Sequence, residues 1–294
     1  MKNSDGKIWR IIDLLKWSRN YLSEKGVESP QIEAEWMLRH VLNLSRLEIY
    51  LNHERPLTAT ELADFKSLLI QRSRGIPIQY LLGYTEFMGH RFKVNPAVLI
   101  PRPETELLVE KVVEIIENIK QQSLTALDVG TGSGCIAVSM AIACRNCRIS
   151  AIDISPEALA VARQNAVDNG VADRILFQKM DILNDRPAEK PFNIIASNPP
   201  YVAGEYWNNL TDLVKNNEPR IALYPGKDGL IFYRRLTRLA QTHLTDAGYL
   251  ITEIGGTYQE QEVHRIFHES GLRDIEIIRD YSGESRIVLG KHCP

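Results

Sequence analysis

Cysteines and long apolar runs are scarce in this sequence. It has four cysteines in 294 residues and no run of about 18 apolar residues that could form a membrane-spanning helix. The charged segment after Met1 is unlike a signal peptide. We therefore expect a cytoplasmic protein with free thiols. The single Cys144-x-x-Cys147 pair cannot fill a four-ligand zinc shell, so no metal site is predicted.

An excess of basic residues is also missing. Lysine and arginine number 35 against 37 acidic residues, which gives a net charge of −2. Residues 1–90 carry 12 basic and 11 acidic side chains. Proteins that bind duplex nucleic acid usually present a basic face, so we expect no direct contact with nucleic acid. We also expect a monomer that does not associate with membranes.

The first part of the chain has the pattern of helices. Apolar residues recur at helical spacing from Ile8 to Leu22. Ser45-x-x-Glu48 and Thr58-x-x-Glu61 fit the capping box that begins a helix. These signals predict a small helical bundle over residues 1–77.

Residues 78–104 change character. Two short strand-like runs flank Met88-Gly89, which predicts a β-hairpin. Prolines 96, 101 and 103 then make the chain extended and stiff. We interpret this segment as a hairpin and proline-rich linker between two domains.

From residue 105 to residue 294 helical and strand patterns alternate. A helix is predicted over Thr105–Lys120, and others begin near Gly134, Ser155, Leu230 and Gln259. Alternation of this kind predicts an α/β fold with a doubly wound, mostly parallel, seven-stranded sheet covered on both faces. The predicted strands are Thr125–Val129, Ile149–Asp153, Ile175–Gln178, Phe192–Ser197, Tyr249–Ile254, Ile275–Arg279 and Arg286–Leu289.

A glycine-rich turn lies where the first of these strands becomes a helix. Glycine permits a tight turn and lets the backbone approach a ligand closely. The spacing G-x-G-x-G differs from the dinucleotide pattern G-x-G-x-x-G. Alone it is weak evidence for a nucleotide-like site. The segment runs Asp128, Val129, Gly130, Thr131, Gly132, Ser133, Gly134.

Acidic residues follow the next two strands. Asp153, beside Ile154, could accept hydrogen bonds from both ribose hydroxyls of a nucleoside. Asp181 could accept from an adenine amino group while Ile182 packs on the ring, although Asp181 could equally serve an ordinary turn. No phosphate-binding G-x-x-x-x-G-K-[ST] motif is present. Over residues 105–290 these features resemble the Rossmann-like class I methyltransferases, which implies S-adenosylmethionine as cofactor and S-adenosylhomocysteine as product.

Asn198-Pro199-Pro200-Tyr201 follows the fourth predicted strand. An amide nitrogen is a poor nucleophile, so catalysis must hold its NH₂ group with acceptors and aim the lone pair at the methyl group. Asn198 offers a side-chain carbonyl, and Pro199 offers a backbone carbonyl without a competing N–H. Tyr201 could present a flat face to a planar amide or base. The motif predicts methyl transfer to a planar nitrogen, with Asn198, Pro199 and Tyr201 as catalytic residues.

The whole arrangement resembles the release-factor glutamine methyltransferases, the PrmC or HemK family. The stretch from Pro101 to Glu106, Pro-Arg-Pro-Glu-Thr-Glu, is specific within that family, and the helical region precedes it. The resemblance implies that the substrate is the glutamine of the Gly-Gly-Gln motif in peptide-chain release factors, converted to N5-methylglutamine. Residues 1–77 would then recognise the substrate, and residues 105–294 would be the methyltransferase domain.

The resemblance also implies which residues form the site. Asn198, Pro199, Pro200 and Tyr201 would bind the glutamine. Arg102, Thr105 and Glu106 could line the site, or the segment around Thr105 could simply cap a helix. Residues 204–229 are predicted to form a long loop that shapes the entrance of the site, and this loop holds Trp207, Glu218, Arg220 and Tyr224. A nucleobase amino-methyltransferase, a ribosomal-protein glutamine methyltransferase and an inactive cofactor-binding module are the alternatives. The cofactor would be bound by Asp128, Gly130, Thr131, Gly132, Ser133, Gly134, Asp153, Ile154, Asp181, Ile182 and Asn198.

Overall fold

The fold is described by a computed structural model that covers residues 8–119, 123–188, 191–226 and 228–293. Its internal contacts divide the chain into two compact units, with the division after Gly83. The sequence predicted the helical region to end at residue 77. No helix within the described ranges is long and apolar enough to cross a membrane.

The first unit is helical, as predicted. Ser45 Oγ accepts a hydrogen bond from the Glu48 amide, and Thr58 Oγ1 accepts one from the Glu61 amide, so both predicted capping boxes are confirmed. The last helix is too short for a periodic pattern to reveal it and was not predicted. The helices are α1 (Ile11–Glu24), α2 (Pro30–Leu42), α3 (Arg46–Leu51), α4 (Ala59–Ser73) and α5 (Ile78–Leu82).

Apolar residues from several of these helices form the core of the first unit. Met37 and Phe65 are almost completely buried. A buried ion pair accompanies them, because the guanidinium of Arg72 on α4 donates to both carboxylate oxygens of Glu33 on α2. Breaking one partner of such a pair would leave a buried charge uncompensated, so the pair fixes how α2 and α4 pack.

The second unit contains a seven-stranded sheet with the strand order β5-β4-β3-β6-β7-β9-β8. Strand β9 runs antiparallel to both neighbours, and the other pairings are parallel. The predicted fold class is therefore confirmed. The strands are β1 (Tyr84–Phe87), β2 (His90–Lys93), β3 (Leu124–Val129), β4 (Cys147–Asp153), β5 (Ile175–Lys179), β6 (Phe192–Ser197), β7 (Leu244–Glu253), β8 (Arg273–Arg279) and β9 (Ser285–Lys291).

Helices cover the sheet and leave the carboxyl ends of the parallel strands open. The helix that begins after the glycine turn is almost entirely buried, because it packs between the sheet and its neighbours. Part of the segment 204–229, predicted as a loop, is also helical. The helices are α6 (Pro103–Asn118), α7 (Cys135–Ala143), α8 (Pro156–Asp168), α9 (Asp212–Asn217), α10 (Ile231–His243) and α11 (Thr257–Glu269), with short 3₁₀ turns at Ala172–Arg174, Trp207–Asn209 and Arg220–Ala222.

The predicted hairpin, β1 and β2, packs firmly against the second unit. Phe87 and Phe92 are buried in the core of that unit with their rings edge to face. The side-chain amide of Asn165 on α8 accepts from the Lys93 amide at 2.7 Å and donates to the Lys93 carbonyl at 3.0 Å. The hairpin therefore forms part of the second unit's core.

Strand β7 starts five positions before its predicted beginning at Tyr249, because it extends back to Leu244. Leu244 already pairs with Phe192 on β6, and the register then shifts before the regular pairing resumes. The polar residues and glycine between Leu244 and Tyr249 look like a turn in the sequence. In the structure Ala247 has a positive φ of 63° within the strand, so the irregularity bends the strand instead of ending it.

Candidate active site

The predicted site residues lie at one edge of the sheet. Because β3, β4, β5 and β6 are parallel, the loops that follow their carboxyl ends meet at the same place. A cavity of about 290 Å³ opens there. Among the predicted cofactor and substrate residues, those that line it are Gly130, Thr131, Gly132, Ser133, Asp153, Ile154, Asp181, Ile182, Asn198, Pro199 and Pro200.

The glycine turn has the left-handed backbone that glycine favours. Gly130, Gly132 and Gly134 have φ values of 72°, 54° and 81°. Gly134 does not line the cavity. A Cβ there would lie 3.0 Å from the Cβ of Ala162 on α8, so the third glycine allows α7 and α8 to pack closely.

Asp128 lies beneath the turn and does not line the cavity. Its side chain is fully buried, accepts from the Thr131 hydroxyl at 2.6 Å and accepts from the Ala137 amide at 3.2 Å. Burial raises the pKa of this carboxyl to about 7 against the opposing effect of those hydrogen bonds. Asp128 therefore shapes the turn and the start of α7.

Asp153 joins the glycine turn to the start of α8. Its carboxylate accepts from the Gly132 amide at 2.8 Å and from the Ser155 amide at 2.9 Å. The hydroxyl of Ser155 caps α8 by accepting from the Ala158 amide at 3.0 Å, as predicted. Burial raises the pKa of Asp153 above its ordinary value. The Ile154 amide also donates to this carboxylate, and because a carboxylate has about four lone-pair positions, it can still accept from a ligand in the cavity.

Asp181 makes the hydrogen bonds of an ordinary turn and also lines the cavity, so its expected contact with an adenine amino group stays a prediction. Its carboxylate accepts from the Leu183 amide at 3.0 Å and from the Asn184 side chain at 2.7 Å, which is ordinary turn chemistry. It also lines the cavity beside the buried side chain of Ile182. Ile154, the residue after Asp153, also lines the cavity and is 40% exposed.

The loop after β6 places Asn198, Pro199 and Pro200 on the cavity wall, but Tyr201 does not line it. A Cβ on Gly255 would lie 2.9 Å from the Tyr201 ring, so the ring packs over that glycine. The Tyr201 hydroxyl donates to Glu253 at 3.3 Å. The side-chain NH₂ of Asn198 donates to Thr105 Oγ1 at 3.0 Å, which leaves the Asn198 carbonyl oxygen available as an acceptor.

Arg102, Thr105 and Glu106, which were predicted either to line the site or to cap a helix, have different positions in the structure. Arg102 and Thr105 line the cavity, whereas Glu106 accepts from the Met88 amide of the hairpin at 2.5 Å. Thr105 does not cap α6, because Arg102 holds the N-cap position and Thr105 Oγ1 donates to Glu253 at 2.6 Å. The helix-capping alternative for Thr105 is therefore wrong.

Two buried glutamates lie at the site: Glu253 was not found from the sequence, and Glu218 was noted only as part of the segment 204–229. Glu253 ends β7 and is 2% exposed. Glu218 follows α9, accepts from Arg102 at 2.5 Å and accepts from the Ile100 amide at 3.3 Å. Their partners lie between 52 and 148 residues earlier in the chain, so no local pattern reveals these contacts. The segment 204–229, expected to shape the entrance, contributes Pro219, Ile221, Ala222, Tyr224 and Pro225 to the cavity wall. Lining residues that were not predicted include Ala97, Val98, Leu99, Ile152 and Phe232.

Metal ligation finds no support within the described ranges. No group of three or more histidine, cysteine or acidic residues there could hold a metal ion. The four cysteines are free, and Cys144 and Cys147 are buried.

Fold and site together define a class of enzyme. The model of the "Methyltransferase small domain" family matches residues 104–220. The fold is similar to that of a methyltransferase from Pyrococcus furiosus, with a TM-score of 0.51 and 19% identity, covering 71% of this chain and 91% of that one. The chain is a class I methyltransferase, of the kind that uses S-adenosylmethionine.

Further comparisons place the chain in one family within this class. The "PrmC N-terminal domain" model matches residues 13–83. A release factor glutamine methyltransferase from Chlorobaculum tepidum is 39% identical, and the alignment covers 94% of this chain and 95% of the relative. One from Geobacter sulfurreducens is 38% identical, with 97% and 98% covered. The chain belongs to the release factor glutamine methyltransferase family, which confirms the resemblance found in its motifs.

Proposed function

We propose that this enzyme transfers a methyl group from S-adenosylmethionine to the side-chain amide nitrogen of a release-factor glutamine, the one in the Gly-Gly-Gln motif. The products are N5-methylglutamine and S-adenosylhomocysteine. One observation carries the proposal. Asn198 and Pro199 line the same cavity as Asp153 and the glycine turn, which Asp153 holds through the Gly132 amide.

The residues around this cavity fit the proposed cofactor. Asp153 keeps free lone pairs where ribose hydroxyls could donate, and the glycine turn removes side chains that would block a close approach. Ile152, Ile182 and Phe232 supply apolar walls for an adenine ring. S-adenosylmethionine supplies a methyl group activated by a positively charged sulfur. Asp128 and Gly134 do not line the cavity, and they hold the glycine turn and the start of α7 in place.

The protein groups suit a weakly nucleophilic nitrogen. Asn198 presents a carbonyl oxygen because its NH₂ is engaged by Thr105. Pro199 and Pro200 lack N–H groups, so they add acceptors without adding donors. An NH₂ held by such acceptors would direct its lone pair toward the methyl group. Positioning of reacting atoms at about 3–3.5 Å can supply several kcal/mol of rate enhancement.

The surroundings of Tyr201 give it an indirect part in this scheme. Its ring packs over Gly255 and its hydroxyl is engaged by Glu253. Burial and the nearby Glu253 carboxylate raise the pKa of Tyr201 well above its ordinary value, so it stays a neutral donor. We propose that Tyr201 braces the loop that carries Asn198 and Pro199. The helical first unit is proposed to recognise the release factor, and a monomer in the cytoplasm remains our prediction.

A single labelling experiment tests the proposal against its main alternative. The enzyme is incubated with methyl-labelled cofactor and either a release factor or nucleic acid. We expect label on the release factor, and mass spectrometry should place one added CH₂ unit on the Gly-Gly-Gln glutamine. A release factor with that glutamine changed to alanine should stay unlabelled. Label on nucleic acid alone would overturn the proposal.

A variant of the acceptor tests the assignment of the site. Asn198→Ala should lose most single-turnover activity, while cofactor affinity falls less, because a buried group deprived of its hydrogen bond costs about 1–3 kcal/mol. Asn208→Ala is the matched control, since Asn208 is exposed and does not line the cavity. Unchanged turnover in Asn198→Ala would contradict the assignment.

A further inference from the structure

A series of buried hydrogen bonds connects Asn198 on the cavity wall to Glu253 in the interior of the second unit. Asn198 Nδ2 donates to Thr105 Oγ1 at 3.0 Å, and Thr105 Oγ1 donates to Glu253 Oε2 at 2.6 Å. Thr105 and Glu253 are each 2% exposed. Residues from α6, the loop after β6 and the end of β7 thus form one connected network.

The fold brings these three residues together through the sheet. Strand β7 runs parallel to β6, and Thr252 is paired with Ser197. The next residues along the two strands are Glu253 and Asn198, so they lie side by side at the carboxyl edge of the sheet. The first turn of α6 places Thr105 between them.

The directions of these hydrogen bonds follow from what each group can donate. An ionised carboxylate only accepts hydrogen bonds, so the Thr105 hydroxyl must donate its hydrogen bond to Glu253. The Thr105 oxygen then has only lone pairs to offer, and of the two ends of the Asn198 amide only the NH₂ can satisfy them. The two ends have nearly the same shape, so packing alone would not select between them. Glu253 therefore determines which end faces the cavity.

We propose that Glu253, acting through the hydroxyl of Thr105, is a positioning residue that holds the Asn198 carbonyl toward the substrate nitrogen. This inference rests on the proposed function of Asn198. If the amide were reversed, its NH₂ would face the NH₂ of the substrate, and two donors would oppose each other. Tyr201 strengthens the arrangement, because its hydroxyl donates to Glu253 Oε1, the carboxylate oxygen that Thr105 leaves free.

Protonation of Glu253 would remove the preference for one orientation of the Asn198 amide. Burial raises the pKa of Glu253 to about 7, with hydrogen bonds from Thr105 and Tyr201 opposing that effect. Above this pH the carboxylate is ionised and the Asn198 amide is held. Below it Glu253 can donate to Thr105, whose hydroxyl is then free to turn toward Asn198. The titratable or charged groups around Glu253 are Glu104 on α6, Cys135 on α7, Tyr201 after β6, Tyr233 on α10 and Arg286 on β9.

Two pairs of variants test the proposal by steady-state kinetics on a release factor. Glu253→Gln keeps the shape of the side chain but can donate as well as accept, so kcat should fall about 10- to 100-fold with cofactor affinity unchanged. Thr105→Val should lose as much activity, whereas Thr105→Ser keeps the hydroxyl and should retain it. The double variant Thr105→Val, Glu253→Gln should be no worse than either single variant, because both break the same connection.

The pH dependence separates positioning from general loss of structure. In the wild type, kcat should decline as the pH falls below about 7, and Glu253→Gln should lack that decline. Tyr233→Phe is the matched control, since Tyr233 is buried and donates to the Glu253 backbone carbonyl at 3.0 Å but does not line the cavity. It should keep the wild-type pH profile.

The outcomes are distinguishable from failure of the proposed function. If the wild type does not methylate the glutamine at all, the proposed function is wrong. If the wild type is active and both Glu253→Gln and Thr105→Val keep its kcat and pH profile, only the positioning role is overturned. Should Glu253→Gln fail to fold, the comparison of Thr105→Val with Thr105→Ser decides the question, and equal activity of those two variants refutes the proposal.

Discussion

Replacing Gly134 by alanine should destabilise the second unit for two separable reasons. Gly134 has a φ of 81° at the start of α7, and an L-residue in that left-handed region costs roughly 1–2 kcal/mol. The added Cβ would also lie 3.0 Å from the Cβ and 3.2 Å from the Cα of Ala162. Overpacking of this kind typically costs about 1–3 kcal/mol. We expect Gly134→Ala to lower the free energy of unfolding by about 2–5 kcal/mol.

A double-mutant cycle can isolate the contact between α7 and α8. Ala162→Gly removes the Cβ that Gly134→Ala would meet, and as a glycine inside a helix it should cost about 1 kcal/mol by itself. In the double variant the contact with the Cβ of residue 162 disappears, while the contact with its Cα and the backbone strain at residue 134 remain. The double variant should therefore be less destabilised than the sum of the single variants, by part of the overpacking cost of about 1–3 kcal/mol.

Urea denaturation followed by tryptophan fluorescence would measure this cycle. Trp207 lies in the second unit, and Trp9, Trp17 and Trp36 lie in the first, so changing those three to phenylalanine makes Trp207 the reporter. Gly130→Ala is the matched control, because Gly130 has a φ of 72° but nothing within 4 Å of a Cβ. Equal losses for Gly134→Ala and Gly130→Ala, together with simple additivity in the cycle, would refute the packing argument.

Three further outcomes are expected. Asp153→Ala should weaken binding of S-adenosylmethionine in calorimetry by about 1–3 kcal/mol, and unchanged affinity would remove Asp153 from the site. Arg102→Ala should expose the segment around α9 to proteolysis, because it leaves the buried charge of Glu218 uncompensated. Adding Glu218→Gln should restore resistance to proteolysis. If the double variant is cleaved as fast as Arg102→Ala, the uncompensated charge of Glu218 is not the cause. Asp128→Asn should lower the dependence of stability on pH. The folded carboxyl, with a pKa of about 7, keeps a proton that the unfolded chain loses near pH 4. Its contribution makes stability fall as the pH rises between these values, and parallel urea midpoints for wild type and variant would count against it.

Much of the second unit could be predicted because its elements carry local signals. Strand β6 was predicted with its observed bounds, since four of its six residues are apolar, and the structure buries all six. The helix after Asp153 was predicted from Ser155-Pro156, and Ser155 does cap it. Signals of this kind depend on neighbouring residues alone, so a single sequence reveals them.

The rest depends on partners that are distant in the chain. Tyr201 was expected to present its ring to the substrate, yet the ring packs over Gly255 instead of lining the cavity. Thr105 was expected to cap a helix or line the site, and its decisive partner is Glu253, 148 residues later. The sequence contains no pattern that links such residues, because only the order of strands in the sheet brings them together.

The position of β7 within the sheet has a consequence for the order of folding. The strand that ends in Glu253 lies between β6 and β9, residues Ser285–Lys291. Glu253 is paired with Ile287 on β9, so its backbone is fixed only when a segment that comes much later in the chain has joined the sheet. We therefore expect the side chain of Asn198 to become ordered late in folding, after β9 has paired.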